Sequence, residues 1–180
     1  MRVWLGLAVA AAFAAGPAAG KAPARHVRVA DGYRLFGERY SWIMCEVPEK
    51  WSLQLFPKPD KTGERQLFVS SSGRESSLTA YYYDGKHPEY STMDRYLESV
   101  ADGVPTKQIQ VGRNHRVAKQ FERSTARGRH LVVVIPSGKA PRFYVIRYSG
   151  VPKAFERDRP KLQHLLDTWL FRRKSLGTGS

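Results

Sequence analysis

The chain has 180 residues, 42% of them hydrophobic, a length that suits one domain with a real core and would be cramped for two. Its formal charge is +14 and it holds a single cysteine. An internal disulfide framework and a thiolate-rich zinc site are thereby excluded, and anionic partners are favoured over cationic ones.

Residues 1–20, MRVWLGLAVAAAFAAGPAAG, set one arginine before an alanine-rich apolar run that Gly16 and Pro17 interrupt. This is the layout of a secretory signal peptide, with Ala18 and Gly20 suited to the positions three and one before a cut near Lys21. A retained anchor helix is the alternative; the run is short for a bilayer and its alanines are weakly hydrophobic. Export is the expectation, to a periplasm or beyond the cell. Cleavage would remove only Arg2 of the 30 basic residues, leaving 29 against 16 acidic ones and a formal +13.

Residues 21–34 read as a flexible N-terminal arm, 35–173 as a single α/β domain and 174–180 as a disordered tail. Within the domain, YSWIMCEV from Tyr40 puts Trp42 and Met44 on one side and Ile43, Cys45 and Val47 on the other, a strand covered on both faces. Cys45 sits inside this run without cations or a histidine beside it, so burial suits it better than nucleophilic chemistry. Pro48 has no N–H to donate, which ends the pairing there. WSLQLF then alternates Trp51, Leu53 and Leu55 against Ser52 and Gln54, a half-exposed strand.

After the loop PKPDKTGE, the runs QLFVSSS and SSLTAYYYDG predict two strands joined at Gly73 and Arg74. Tyr81 and Tyr83 share a face with Thr79, and Tyr82 takes the other with Ala80; packing beneath a helix accounts for at least one of those faces. A helix follows, with Ser91 or Thr92 as N-cap, Asp94 in the first turn, a stripe of Met93, Tyr96, Leu97, Val100 and Ala101, and Gly103 and Pro105 at its close. Strands are predicted at KQIQV, RVAKQFERS, HLVVVI and RFYVIRYS. The last helix is expected to begin near Asp158 with Pro160 in its first turn, to bury Leu162, Leu165, Leu166 and Trp169, and to end near Phe171. Arg172, Arg173 and Lys174 would then face the negative end of its dipole. Short turns between most strands require antiparallel pairing, and the two helices supply covers: an α+β fold, an antiparallel β-sheet flanked by helices as an α/β/α sandwich.

The phrase YSWIMCEVPEKWSL, with Pro48, Glu49, Lys50 and Trp51 as Pro-x-x-Trp after a strand, resembles the opening of the PsbP-like fold family, which includes DcrB-like bacterial envelope proteins. The helix TMDRYLESVAD, the turn and strand VGRNHRVAKQFER, the strands around SGKAPRFYVIRYSG and the end LLDTWLF extend the resemblance over Phe36 to Phe171. It implies a scaffold whose relatives mostly bind proteins, here a protein of the cell envelope, with no cofactor. On the physical side, Pro48 fixes its own φ and biases Val47 to an extended shape, so that Trp51 folds back over the core. An aromatic of that size buries on the order of 150–250 Å², a transfer term of roughly 4–6 kcal/mol. Pro48, Trp51 and Trp169 are therefore assigned structural roles.

The excess of cations is uneven. Arg113, Arg116, Lys119, Arg123, Arg127, Arg129, Lys139, Arg142 and Arg147 stand against the single acid Glu122 in that span. In an exported protein these residues are candidates to meet an acidic protein face, or alternatively anionic lipid or polysaccharide, rather than nucleic acid; solvated strand faces are the bland account of the same residues. The histidines, His26, His87, His115, His130 and His164, are dispersed and form no HExxH pair; His87 beside Glu89 and His164 near Asp167 have the spacing of ligand pairs, but exposed or helix-surface positions explain them better. SSSGRESS contains no GxSxG elbow, neither helix opens on a glycine-rich phosphate loop, and acids are too scattered for a paired-carboxylate site. The expectation is a non-catalytic protein, its partner's identity and its own oligomeric state left open.

Overall fold

The computed structural model describes residues 28–38, 43–56, 64–73 and 75–171. The expected signal segment, most of the arm, Trp42, the first loop and the basic run with its tail lie outside the described residues. In chain order the elements are β1 (Tyr33–Glu38), β2 (Ile43–Pro48), β3 (Ser52–Leu55), β4 (Glu64–Ser71), β5 (Ser76–Tyr83), α1 (Met93–Ala101), β6 (Lys107–Val111), β7 (Arg116–Thr125), β8 (Gly128–Pro136), β9 (Phe143–Gly150), α2 (Pro152–Thr168) and β10 (Leu170–Phe171).

All pairings are antiparallel, in two sheets. A seven-stranded sheet runs β3-β4-β5-β9-β8-β7-β6, and a three-stranded one runs β1-β2-β10. One continuous sheet was expected; the structure divides the strands, because β2 turns away at Pro48 and takes its partners from β1 and from the end of the chain.

The interior strand β8 shows why the large sheet needs two covers. Leu131, Val133 and Ile135 point into one core with Ala118, Ile146 and Tyr148, while Val132 and Val134 point into another with Phe121, Phe143 and Val145. α1 closes the second with Tyr96, Leu97 and Ala101. α2 closes the first with Phe155, Leu162, Leu165 and Leu166, but shares that face with the small sheet, which adds Phe36, Ile43, Cys45 and Val47. Helices on both faces are thus found in part, one side being covered by a helix and a sheet together.

Local chemistry fixes the helix ends. Thr92 Oγ1 accepts from Arg95 N at 3.2 Å and caps α1, whose first turn carries Asp94 against the positive end of the dipole. The helix stops where Asp102 (φ 47°) and Gly103 (φ 78°) turn left-handed, one residue before the expected glycine. α2 departs further from expectation. It starts at Pro152 rather than near Asp158, so Pro160 lies inside the helix. Proline there forgoes one helical hydrogen bond and crowds the preceding turn, a cost of about 3 kcal/mol; the burial of Ala154 and Phe155 before it offsets that cost. At the other end Trp169 is the C-cap, and Leu170 and Phe171 leave as β10 to pair with Met44 and Ile43.

β3 forms at the edge of the large sheet, and its face is more exposed than the alternation implied: Leu53 packs on the core, whereas Leu55 is 56% exposed. At the corner, Trp51 is 4% exposed, its N–H donates to Pro48 O at 3.2 Å, and its carbonyl accepts from Arg34 Nη2 at 2.6 Å. Trp169 is wholly buried. Its carbonyl comes so close to Gly112 that a Cβ there would lie 2.1 Å from it, and Gly112 also has φ 75°, so only glycine fits this turn.

Candidate functional site

Because successive strand residues face opposite ways, the basic run is divided between the two faces of the large sheet. Arg116 and Arg129 turn toward α2. Arg116 Nη1 donates to Pro136 O at 2.7 Å and its guanidinium lies 3.7 Å from the Phe171 ring centre. Arg129 pairs with Glu122 and Glu156 and covers the Phe155 ring at 4.7 Å. Arg159 of α2 pairs with the other Glu122 oxygen at 2.5 Å. Burial pushes the Glu122 carboxyl up, but the two guanidinium hydrogen bonds more than offset it and hold it below the ordinary carboxylate range.

Lys119, Arg123 and Arg147 turn toward α1. Lys119 pairs with Asp94 at 3.2 Å. Arg147 Nε donates to Tyr96 Oη at 3.0 Å, and its guanidinium sits over the rings of Tyr81 at 4.8 Å and Tyr96 at 5.7 Å. Arg123 makes one long contact, from Nη1 to Val100 O at 3.5 Å. Between these elements lies a cavity of about 530 Å³, lined among others by Thr79, Tyr90, Ser99, Arg123, His130, Arg147 and Ser149.

The remaining cations sit on turns. Arg127 occupies the β7–β8 turn, where its N–H donates to Thr125 Oγ1 at 3.2 Å. Arg113 in the β6–β7 turn and Lys139 and Arg142 in the β8–β9 turn lie at the opposite end, since Val111 pairs with Arg116, Lys119 with Val134 and Pro136 with Phe143. All three are exposed. Hydrogen bonds from Ser137 N to Arg142 O at 3.1 Å and from Arg142 N to Lys139 O at 2.9 Å fix the second turn, and Arg142 reaches the Tyr82 hydroxyl. Among the described residues no carboxylate lies within 4.0 Å of these three side chains. Of the cations that the linear sequence groups together, only Arg113, Lys139 and Arg142 share the exposed turn end, with Arg116 behind them.

The histidine pairs resolve differently from their spacing. His87 Nδ1 accepts from Glu89 N at 3.2 Å and Tyr90 N at 3.1 Å, a turn contact. His164 stacks on Tyr33 and its Nε2 lies 2.8 Å from Glu46 Oε2, while Asp167 accepts instead from Gln163. Glu46, only 3% exposed, is a polar residue inside β2 that the alternation did not single out. Its Oε2 also accepts from Ala30 N at 3.1 Å and its N–H donates to Thr168 Oγ1 at 3.0 Å, which ties the start of the described chain to α2. Cys45 is buried in the same strand, and burial followed by the nearby Glu46 charge pushes its thiol far above the range where a thiolate forms. Among the described residues no three His, Cys, Asp or Glu side chains gather as a metal site.

The order of strands and helices defines a PsbP-like fold. Among solved structures, cyanobacterial PsbP (CyanoP) from Synechocystis sp. PCC 6803 matches with a TM-score of 0.51 and 12% identity, over 84% of this chain and 98% of that one. A crystal structure from Bacteroides thetaiotaomicron VPI-5482 matches with a TM-score of 0.49 and 11% identity over 79% of this chain, which spans 50% of that protein. A Pseudomonas aeruginosa protein of unknown function matches with a TM-score of 0.40 and 17% identity, over 79% of this chain and 99% of that one. No protein-family model matches the chain, and no curated protein does. No helix among the described residues is long and apolar enough to cross a membrane.

Proposed function

We propose that the chain is an exported, non-catalytic binding or accessory module of the bacterial cell envelope, of DcrB-like kind, that acts by contact with a protein bearing an acidic face. The leader-like residues 1–20 support export, and the PsbP-like fold supports a binding scaffold. The observation that carries the reading is the turn end of the large sheet: Arg113, Lys139 and Arg142 stand exposed on two adjacent turns with no described carboxylate within 4.0 Å, Asp84 being the nearest acid in the strand register. Three charges on short, internally bonded turns lose little freedom on meeting a partner and speed its approach.

The same cations favour a second reading, a peripheral binder of anionic lipid or polysaccharide. The test uses the mature chain and an Arg113→Glu, Lys139→Glu, Arg142→Glu variant. Both are used to recover proteins from envelope extracts at low and high salt, and both are mixed with vesicles with and without anionic lipid. Under the first reading a defined protein is retained by the wild-type chain alone and released by salt. Salt-sensitive attachment to anionic vesicles, lost in the variant, supports the second. Equal behaviour of the two chains throughout refutes the turn end as a contact surface.

A further inference from the structure

The cavity on the α1 side of the large sheet lies away from the turn end, and its chemistry is separate. The strand register places Arg123, His130, Ser149 and Ser77 in one row across β7, β8, β9 and β5, and Val132, Arg147 and Thr79 in the next. Arg123 and Arg147 are therefore two strands apart and displaced by one step on the same face, about 10 Å across and about 7 Å along, and both line the cavity. The last turn of α1, with Ser99 and Val100, forms one wall of the cavity, which is open to solvent on its outer side.

Arg147 is incompletely matched inside the fold, while Arg123 lies at the solvent-exposed rim. Arg147 is half-buried, yet only its Nε has a hydrogen-bond partner among the described residues, the neutral Tyr96 hydroxyl; its remaining contacts are aromatic faces. No described carboxylate lies within 4.0 Å of Arg147 or Arg123. A permanently charged group withdrawn from water calls for an anion, and a guanidinium fork fits a carboxylate or phosphate. The sole acid on the wall is Asp102, at the end of α1. Thr79, Ser99 and Ser149 bring hydroxyls that both donate and accept. Burial, then the Arg123 charge, holds His130 below its ordinary pKa and so neutral at pH 7, with Nε2 3.2 Å from Thr125 Oγ1 and Nδ1 free of any described partner. At about 530 Å³ the space is far larger than an inorganic oxyanion needs and suits a ligand of monosaccharide size.

We propose that this cavity binds a small acidic sugar, its carboxylate or phosphate held by Arg147 and Arg123 and its hydroxyls by Thr79, Ser149 and His130. The two sources of the oxyanion, a sugar acid and a sugar phosphate, share this chemistry.

Isothermal titration of the mature chain with glucuronate, glucose 6-phosphate, glucose and inorganic phosphate tests it, together with amide chemical-shift mapping. Binding of glucuronate identifies a carboxylate ligand and binding of glucose 6-phosphate a phosphate ligand; either supports the proposal when glucose and inorganic phosphate each bind at least about 10-fold more weakly. Arg123→Gln, at an exposed position, is expected to weaken binding about 10-fold, and Arg147→Gln to abolish it. Arg113→Gln, at the turn end, is expected to leave it unchanged. Shifts should centre on residues 79, 130, 147 and 149, a readout that stands if Arg147→Gln fails to fold. No binding of either acid at about 10 mM, inorganic phosphate binding as tightly as the sugars, or an equal loss in Arg113→Gln would overturn it.

Discussion

Asp158 shows how one residue can hold distant parts of the chain. It is fully buried on α2, where its oxygens accept from Ser76 at 2.9 Å, Ser72 at 3.2 Å, Arg157 at 2.7 Å and Lys161 at 2.7 Å. Burial pushes its carboxyl up, but the bonds from Arg157, Lys161 and Ser76 prevail and leave it well below the ordinary carboxylate range. A carboxylate depressed on folding stabilises the native state fully above its unfolded pKa, near 4, and the contribution fades as pH falls below that. Glu122 is depressed in the same direction by Arg129 and Arg159. Thermal melts from pH 7 to pH 2 should therefore show a falling midpoint beginning near pH 4, and Asp158→Asn should flatten that fall. Asp158→Ala is expected to cost about 2 kcal/mol at pH 7, read by denaturant unfolding, because it leaves the buried Ser76 hydroxyl without its acceptor and removes the bonds from the solvent-facing Arg157 and Lys161. Trp51→Ala should cost about 3–5 kcal/mol by the same measurement, since a large cavity opens beneath the β2–β3 corner; a wild-type midpoint would contradict the packing of that ring. Trp51 was readable in sequence because its role is local, three residues after a proline. The role of Asp158 was not, because its hydroxyl partners lie more than 80 residues away and no short-range pattern marks them.

At the scale of elements, sequence reasoning succeeded where periodicity and punctuation agree. α1 carries its cap, its stripe and its stop within 12 residues, 92–103, and nothing elsewhere overrides them. α2 is the contrast. Pro152 and Pro160 both suit a first turn, and the choice between them rests on whether Ala154 and Phe155 find a surface to pack on, which is a tertiary fact. β10 was hidden for a related reason: Trp169 falls on the helical stripe whether or not the helix continues, so two further residues read as its end. β1 offers too little alternation to be seen, with Leu35 42% exposed and Phe36 the one buried side chain of YRLFG. The β6–β7 turn supplies a test at this scale. Gly112 combines a left-handed backbone with the carbonyl of Trp169 at its hydrogen, so Gly112→Ala should cost about 2 kcal/mol or more, against about 1 kcal/mol for loss of the α1 cap in Thr92→Ala. Paired unfolding curves of the two variants check the ordering; a milder Gly112→Ala would mean that α2 does not press on this turn.

For the molecule as a whole, the charge count groups residues of neighbouring strands into a single surface that the sheet does not form. A strand sends its neighbours to opposite sides, so Arg116 and Arg129 serve aromatic rings and acids beneath α2, while Arg147 and Arg123 frame a cavity beneath α1. The exposed remainder is smaller than the linear count implied, and the binding of acidic partners should respond accordingly. Neutralising Arg113, Lys139 and Arg142 should reduce the salt dependence of association, whereas neutralising Arg129 should act mainly on stability. Sedimentation or titration at several ionic strengths separates these outcomes.

The small sheet joins the two extremes of the described chain: β2, from its beginning, is flanked on one side by β1 and on the other by β10, its last element. A polypeptide emerging from its start therefore has no means of finishing this layer until residues 170–171 have been released, and Trp169 cannot be enclosed earlier. Such wiring makes closure of this layer one of the later events in folding of the described chain, whatever the order in which the large sheet forms.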